Sequence, residues 1–120
     1  MDWESDALRA YMLDKAGTTE ETPFGPDALV FKVCGKMFGL LAWKTEPLRI
    51  SLKCDPQQAL VLRDCFEAVK PGYHLNKKHW NTITLDNSIP AEEIFGMMDD
   101  SYQLVVKGLR KADREALQQQ

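Results

Sequence analysis

Residues 29–53, LVFKVCGKMFGLLAWKTEPLRISLK, decide the fold class, because their apolar residues recur with the period of two that is typical of strands. Three strands are predicted, from Leu29 to Val33, from Met37 to Trp43 and from Leu48 to Lys53. Short turns join them, so they are predicted to form an antiparallel meander. The second strand is apolar on both of its sides, which predicts a central position in the sheet.

Helices are predicted on both sides of this meander. Capping residues and prolines mark where they begin, at Asp2 or Ser5, at Asp55-Pro56 and at Pro90. Gly17 is predicted to end the first helix, and Thr18–Pro26 is predicted to be an irregular loop. A fourth strand is predicted from Trp80 to Leu85. After the last helix, Arg110–Gln120 is predicted to be a charged tail that carries another helical turn before it frays.

The predicted order of elements is α-β-β-β-α-β-α. Strands that are flanked by helices in this way favour an α+β fold, a two-layer sandwich in which helices cover one face of a mainly antiparallel sheet. The other face is then at least partly open to solvent. A length of 120 residues is typical of one domain, so residues 1–120 are predicted to be a single domain that buries its core without disulfides or metal.

Composition places the chain among ordinary soluble globular proteins, with 44% apolar and 28% charged residues. Its three cysteines lack C-x-x-C spacing, which predicts reduced thiols and neither a disulfide framework nor a zinc site. The acidic first residues do not resemble a signal peptide, and no apolar run approaches the ~20 residues that a membrane span needs. We therefore expect a cytoplasmic protein outside the membrane, with a monomer as the favoured state.

The segment from Lys70 to Trp80 reverses the sign of the protein's charge. The chain has a formal net charge of -3, yet no acid occurs from Ala68 to Leu85. Basic and aromatic side chains are concentrated there, and they include Lys70, His74, Lys77, Lys78, His79 and Trp80. A local excess of positive charge in an acidic protein predicts an anionic partner.

Strand alternation predicts further basic residues on the open face of the sheet. Because alternate side chains point to opposite faces, the outward set is predicted to include Lys32, Arg49, Lys53 and Trp80. In the second strand, Gly39 leaves room for a close contact and Trp43 would lie near Trp80. The preferred outward set there is Met37, Gly39, Leu41 and Trp43, and the rival set is Phe38, Leu40 and Ala42. Alternatively, the lysines only solvate this face and protect the sheet edges.

Metal binding and catalysis have little support in these residues. His74 and His79 could form a ligand pair, but the segment supplies no third ligand and its lysines repel a cation. No nucleophile motif such as G-x-S-x-G and no glycine-rich phosphate loop occurs. We therefore expect no metal, no cofactor and no enzymatic activity.

Four segments together carry a family resemblance. They are KPGYHLNKKHWNT at residues 70–82, KMFGLL at residues 36–41, Leu85-Asp86 with Ile89-Pro90, and Ser101-Tyr102. They resemble the signature of the MmcQ/YjbR family, and the likeness runs from about Thr22 to Leu109. The resemblance implies a small cytoplasmic bacterial protein with a CyaY-like (frataxin-like) fold and a DNA-binding role. Iron binding does not follow from the fold, because the acids of the first helix are interrupted by apolar and basic residues.

Two hypotheses for function follow. The first is a non-enzymatic DNA-binding module in which the lysines and histidines of the basic segment contact phosphates and Trp80 presents an aromatic surface. The outward basic residues of the strands would extend that footprint. The second is a protein-interaction or small-anion-binding module that uses the same surface. A concave pocket around His74, Lys77 and Trp80 would favour a small ligand, whereas a broad basic strip would favour nucleic acid.

Overall fold

The computed structural model describes residues 3–119, which form four helices and six strands. The helices are α1 (Ser5–Leu13), α2 (Pro56–Cys65), α3 (Ala91–Lys107) and α4 (Lys111–Gln118). The strands are β1 (Thr18–Glu21), β2 (Ala28–Val33), β3 (Lys36–Ala42), β4 (Arg49–Lys53), β5 (Val69–Pro71) and β6 (Trp80–Thr84). The four strands that the sequence predicts are confirmed as β2, β3, β4 and β6, and the three helices as α1, α2 and α3.

The six strands form one antiparallel sheet in the order β1-β2-β3-β4-β6-β5. The prediction of an α+β fold on an antiparallel sheet is therefore confirmed. Helix α3 packs against β2, β3 and β4, α1 packs against β1, and α2 packs against β5 and β6. The core lies between these helices and one face of the sheet, where Phe31, Leu41, Ile50 and Met98 are fully buried. A CyaY-like arrangement of these elements stays a prediction.

Strand β1 corrects the prediction that Thr18–Pro26 is an irregular loop. It pairs with β2 along its whole length at the edge of the sheet. Its sequence, TTEE, has no apolar alternation from which a strand could be predicted. The ladder is supported instead by an ion pair between Arg9 of α1 and Glu20, whose Nε and Oε1 atoms lie 2.6 Å apart.

Two additional elements and the end of one helix also differ from the prediction. Strand β5 adds three residues to the other edge of the sheet, and α4 is a helix of eight residues whose Leu117 joins the core. Helix α1 ends at Leu13, and Gly17 lies in the following turn with a φ of 71°. Asp2, a predicted cap, lies outside the described residues.

Within residues 3–119, no helix is long and apolar enough to cross a lipid bilayer.

A β-bulge interrupts the pairing of β2 with β3. Phe31 pairs with Gly39, whereas the next residue, Lys32, pairs with Met37. Phe38 is therefore an extra residue in β3, and the alternation of side chains shifts by one at this point. Strict alternation of side chains along β3 therefore assigns residues on one side of the bulge to the wrong face of the sheet.

The bulge overturns the preferred outward set of the second strand. Gly39 and Leu41 face the helices, while Leu40 and Ala42 face the open side. Gly39 does leave room for a close contact, but the contact is with Met12 of α1: a Cβ at Gly39 would overlap the Met12 methyl group. The rival set is thus correct for Leu40 and Ala42.

Trp43 does not lie near Trp80, which corrects a second expectation. Ala42, beside Trp43, pairs with the first residue of β4, whereas Trp80 pairs with Lys53 at the last. The two indole rings are therefore at opposite ends of the sheet. The Trp43 indole N–H donates to the carbonyl of Pro26 at 2.9 Å, which fixes the ring beside the start of β2.

Candidate functional site

A concave pocket of about 420 Å³ opens on the sheet face that the helices leave uncovered. Four neighbouring strands supply its floor, through Ala28, Leu40, Ala42, Arg49, Ser51 and Thr82. Its rim consists of Phe24, Tyr73, His74 and Leu75, from the segments before β2 and after β5. The pocket depends on the β3 bulge, because the bulge turns Leu40 and Ala42 towards this face.

Arg49 is the cation within this pocket. Its side chain is half-buried, and within residues 3–119 no hydrogen bond or ion pair joins its guanidinium to another residue. Lys32, on the same face, is instead paired with Glu21 at 2.9 Å. The Arg49 Cζ atom lies 5.7 Å from the centroid of the Tyr73 ring, within cation–π range. A cation–π contact uses no N–H donor as a hydrogen bond to oxygen or nitrogen, so the donors of the guanidinium remain available.

The two hydroxyl groups of the floor bond to each other. Ser51 Oγ and Thr82 Oγ1 lie 2.7 Å apart, and the backbone N–H of Tyr73 donates to Thr82 Oγ1 at 2.9 Å. Both side chains are buried. The floor therefore contacts a ligand mainly through apolar atoms, and Thr82 fixes the position of Tyr73 at the rim.

The rim segment, residues 72–79, bends tightly against β6. The N–H of Gly72 donates to the carbonyl of Trp80 at 2.8 Å, and a Cβ on Gly72 would lie 2.7 Å from the Trp80 Cβ. Glycine is therefore needed at this close approach. His74 adopts the left-handed backbone conformation, with a φ of 59°. Its ring centroid lies 4.1 Å from that of Tyr73, and both side chains are exposed at the mouth of the pocket.

Arg63 of α2 anchors the rim segment from behind. Its Nε donates to Asn81 Oδ1 at 2.6 Å, and its Nη2 donates to the carbonyls of Lys77 and Trp80. Asn81 is buried and donates in turn to the carbonyl of Ala59 in α2 at 3.4 Å. The role of Arg63 could not be predicted from the sequence, because only the fold brings α2 next to this segment.

Hydrogen bonds within the rim segment engage two of its predicted contact residues. The Lys77 ammonium donates to the carbonyl of Gly72 at 2.8 Å, which closes the segment on itself. The backbone N–H of Lys78 donates to Asn76 Oδ1 at 2.9 Å, so Asn76 forms the turn. Part of the basic composition of this segment therefore serves its own structure.

The structure brings two of the nine predicted site residues into the pocket, Arg49 and His74. The other seven lie outside its lining, and they are Lys32, Lys53, Lys70, Lys77, Lys78, His79 and Trp80. The expectation that Trp80 presents an aromatic surface is wrong, because it is 9% exposed and packs against Gly72. A concave pocket is present, but its cation is Arg49 and not Lys77. Whether the remaining residues contact a ligand stays a prediction.

Most of the pocket lining is not identified from the sequence. Phe24 falls within the predicted loop, and Leu40 and Ala42 belong to the set that the alternation places on the other face. Tyr73 lies inside the basic segment but has no assigned role there. Its position directly before His74, as an exposed aromatic residue in a polar segment, is the signal from which the rim could have been inferred.

No metal centre is apparent in the described chain. Within residues 3–119, no three His, Cys, Asp or Glu side chains converge on a point where an ion could bind. Burial raises the pKa of the Cys54 thiol, and the nearby charges of Asp55 and Asp100 add to this effect. Cys54 is therefore kept in its thiol form, which is a poor metal ligand.

Fold and pocket define a small α+β protein that exposes an apolar concavity on the uncovered face of an antiparallel sheet. The chain belongs to the YjbR family, whose model matches residues 13–104. The uncharacterised protein YbdF of Escherichia coli O157:H7 is 41% identical over 93 residues, which cover 78% of this chain and 76% of that protein. The uncharacterised protein YjbR of Escherichia coli K12 is 34% identical over 112 residues, which cover 93% and 95% respectively.

Solved structures of similar proteins have the same fold as this chain. The Deinococcus radiodurans protein DR2400, of the domain family DUF419, superposes with a TM-score of 0.90 at 42% identity, covering 97% of this chain and 88% of that one. A Pseudomonas syringae protein superposes with a TM-score of 0.73 at 30% identity, covering 85% and 98%. The family prediction is thus confirmed, and the relatives are bacterial. DNA binding and a cytoplasmic location stay predictions.

Proposed function

We propose that this protein is a non-enzymatic module that binds a small organic anion in the pocket on the open sheet face. The observation that carries the proposal is Arg49, a half-buried cation set among apolar side chains and without a partner in residues 3–119. Partial burial makes an unpaired charge costly, so this environment favours an incoming anion. Small-molecule pockets commonly combine apolar walls with a few polar groups that orient the ligand.

Hydrogen bonding in the pocket supports binding in preference to catalysis. A serine nucleophile needs a general base within hydrogen-bonding reach. The hydroxyl of Ser51 is instead bonded to Thr82, and the exposed ring of His74 packs against Tyr73 at a tilt of 55°. These contacts hold the pocket in shape and activate no nucleophile in it.

The direct test is a titration of ¹⁵N-labelled protein with small organic anions up to about 1 mM, which detects dissociation constants of that order. We expect amide shifts at Arg49, Ser51 and Thr82. Arg49→Gln should weaken binding about 10- to 100-fold, because a hydrogen bond to a charged group contributes about 1.5–3 kcal/mol. Lys36→Gln, which removes an exposed charge outside the pocket, should bind normally. If no anion shifts these resonances, the proposal fails.

A second pair of variants tests the cavity separately from the charge. Ala42→Leu adds an apolar side chain to the floor and should abolish binding while Arg49 is unchanged. Ala10→Leu adds the same group to the exposed surface of α1 and serves as the control. Thermal unfolding of both variants verifies that they are folded. Full affinity in the Ala42→Leu protein would show that the anion binds elsewhere.

Nucleic-acid binding is a second candidate, because Lys70, Lys77 and Lys78 are all exposed in a segment without acids. Its footprint is smaller than the sequence predicts, since Lys32 is paired with Glu21 and Trp80 is covered. We therefore infer contact with few phosphates, and an affinity that falls only gradually as salt is raised, because the salt slope scales with the number of phosphates contacted.

Titration of a labelled DNA duplex at several salt concentrations tests this candidate. Binding that weakens with salt, and weakens further in the Lys77→Ala/Lys78→Ala variant, would support it. Non-specific dissociation constants usually lie around 10⁻⁴–10⁻⁶ M, so absence of binding in about 50 mM salt at high micromolar protein would exclude it. Recovery of one stoichiometric protein partner without nucleic acid would favour a protein-interaction module.

A further inference from the structure

We infer that the ligand of this pocket is an aromatic monocarboxylate, with its carboxylate on Arg49 and its ring on the apolar floor between Phe24 and Tyr73. The inference rests on the proposed function and narrows it to one chemical class. Four features support it, namely the charge of the lining, the unpaired guanidinium, the shape of the floor and the exposed rings at the rim.

The lining matches a single negative charge. Among the described residues that line the pocket, Arg49 alone carries a guanidinium or ammonium group. A phosphate monoester carries about -1.5 to -2 charges at neutral pH and presents three acceptor oxygens. Of the two nearby hydroxyls, on Ser51 and Thr82, one donates to the other, so only one O–H remains to meet those three oxygens. A carboxylate, with one charge and two oxygens, fits this lining better.

The orientation of Arg49 suits a carboxylate in particular. The Tyr73 ring lies on one side of the Arg49 side chain, with its centroid 5.7 Å from Cζ, and restricts how the side chain can turn. The N–H donors at its edge remain unused within residues 3–119. Two parallel hydrogen bonds from the edge of a guanidinium match the spacing of carboxylate oxygens.

A row of small side chains runs across the sheet from Arg49. Ala42 of β3 pairs directly with Arg49, and Ala28 of β2 pairs directly with Ala42. We call this pair, Ala28 and Ala42, the alanine trough. Adjacent strands lie about 4.8 Å apart, so the trough extends about 10 Å from Arg49. Leu40, one position along the same face of β3, forms a wall beside it. A flat ring can lie in the trough while its carboxylate reaches Arg49.

Exposed rings at the rim favour an aromatic ligand over an aliphatic one. Phe24 is 69% exposed and Tyr73 is 62% exposed, although both line the pocket. Aromatic rings prefer offset-stacked or edge-to-face contacts with another ring. The volume of about 420 Å³ lies near the lower end of the range for ligand pockets, about 300–1,000 Å³. One or two rings suit this space, whereas a dinucleotide does not.

The test compares four probes on ¹⁵N-labelled protein: 2-naphthoate, its neutral amide 2-naphthamide, decanoate and 2-naphthyl phosphate. We expect 2-naphthoate to bind tightest and to exceed its amide by about 10- to 100-fold, through its charge-assisted hydrogen bonds to Arg49. That ratio should fall to near one in Arg49→Gln and remain unchanged in Lys36→Gln. Arg49→Lys keeps the positive charge but loses the two parallel N–H donors of the guanidinium. In this variant the ratio of 2-naphthoate affinity to 2-naphthamide affinity should be intermediate.

Phe24→Ala tests the aromatic contact at an exposed position where truncation should not disturb folding. It should weaken 2-naphthoate several-fold and leave decanoate nearly unchanged. Equal binding of acid and amide, tighter binding of decanoate, or tightest binding of the phosphate would each overturn the ligand class. Decanoate and the phosphate are anions, so the proposed function would stand if either bound tightest, whereas equal binding of acid and amide would remove the role of the Arg49 charge and overturn the proposed function as well. If none of the four probes shifts the pocket resonances up to about 1 mM, the proposed function itself fails.

Discussion

The helix-covered face and the open face of this sheet are built from alternate residues of the same strands, yet their polar groups differ. On the helix side, Ser101 accepts the N–H of Lys53 and donates to the carbonyl of Phe38. Nearby, Tyr102 donates to the carbonyl of Ala16 at 2.6 Å. On the open side, the Arg49 guanidinium lies 5.7 Å from the centroid of the Tyr73 ring and has no hydrogen-bond partner in the described chain. These polar groups of the helix-covered face therefore have partners within the protein, whereas the Arg49 guanidinium on the open face has none among the described residues.

This difference shows how one small sheet can separate stability from binding. The helix side carries the buried side chains that set the free energy of unfolding. The open side buries fewer apolar side chains than the helix side, so the partly exposed residues that line its pocket can serve a ligand at little cost to folding. Variants at neighbouring positions of one strand should therefore have different effects.

The largest difference in the free energy of unfolding is expected between Leu41→Ala and Leu40→Ala. Leu41 is fully buried in the core, whereas Leu40 forms a partly exposed wall of the pocket. Truncating a buried leucine leaves a cavity and should lower the free energy of unfolding by about 2–5 kcal/mol. Leu40→Ala should cost less than about 1.5 kcal/mol and weaken ligand binding instead. Urea denaturation measures both values. Equal losses of stability would show that the two faces are equally important for folding.

A smaller contrast is expected within the floor of the pocket. Thr82→Val removes the acceptor of the Tyr73 N–H and the partner of Ser51, so it should cost about 1–3 kcal/mol. Ser51→Ala removes one hydroxyl and leaves Thr82 bonded to Tyr73, so about 0.5–1.5 kcal/mol is expected. The same denaturation experiment compares them. A larger loss in Ser51→Ala than in Thr82→Val would contradict the role of Thr82 in holding the rim.

The smallest effect concerns pH and the contact between α1 and α3. The Tyr11 hydroxyl donates to Asp99 Oδ1 at 2.7 Å, and Lys15 donates to the same oxygen. The hydrogen bond to Asp99, followed by burial, raises the pKa of Tyr11 to about 12 from 10.0. Because the folded state holds this proton more tightly than the unfolded state, the stabilisation is complete below pH 10 and is lost as pH rises towards 12.

Tyr11→Phe should therefore reduce the alkaline loss of stability. At neutral pH the variant should be less stable by about 1 kcal/mol, the usual contribution of one hydrogen bond. Between pH 8 and 11 the wild type should lose more stability than the variant, since other titrating groups are common to both proteins. Urea denaturation across this range checks the difference. Identical pH profiles would mean that the Tyr11–Asp99 bond does not stabilise the fold.

Elements with strong local patterns could be predicted from the sequence. Alternation revealed the three central strands, and Asp55-Pro56 and Pro90 marked where α2 and α3 begin. Strand β1 could not be predicted in this way, because its stability comes from pairing with β2 and from Arg9. Its own four residues are polar and resemble those of a loop.

The candidate site was predictable only in part, for reasons that are also physical. Strand alternation correctly placed Arg49 on the open face, because no irregularity interrupts β4. Strand alternation gave the wrong faces in β3, because one bulged residue, Phe38, shifts the alternation of side chains by one position. Phe24 and Tyr73 are separated by 49 positions in the chain and meet at one pocket because the sheet order places their segments around it. No local pattern encodes that proximity.

The two edges of the sheet have a consequence for how the protein behaves in concentrated solution. Exposed edge strands can recruit further strands and so lead to aggregation. Strand β1 carries two adjacent carboxylates at one edge, and β5 at the other is three residues long and contains Lys70 and Pro71. Charge, shortness and a proline without an N–H are the features that discourage strand addition. Each edge thus resists intermolecular growth of the sheet, and Lys70 contributes to colloidal stability whether or not it meets a phosphate.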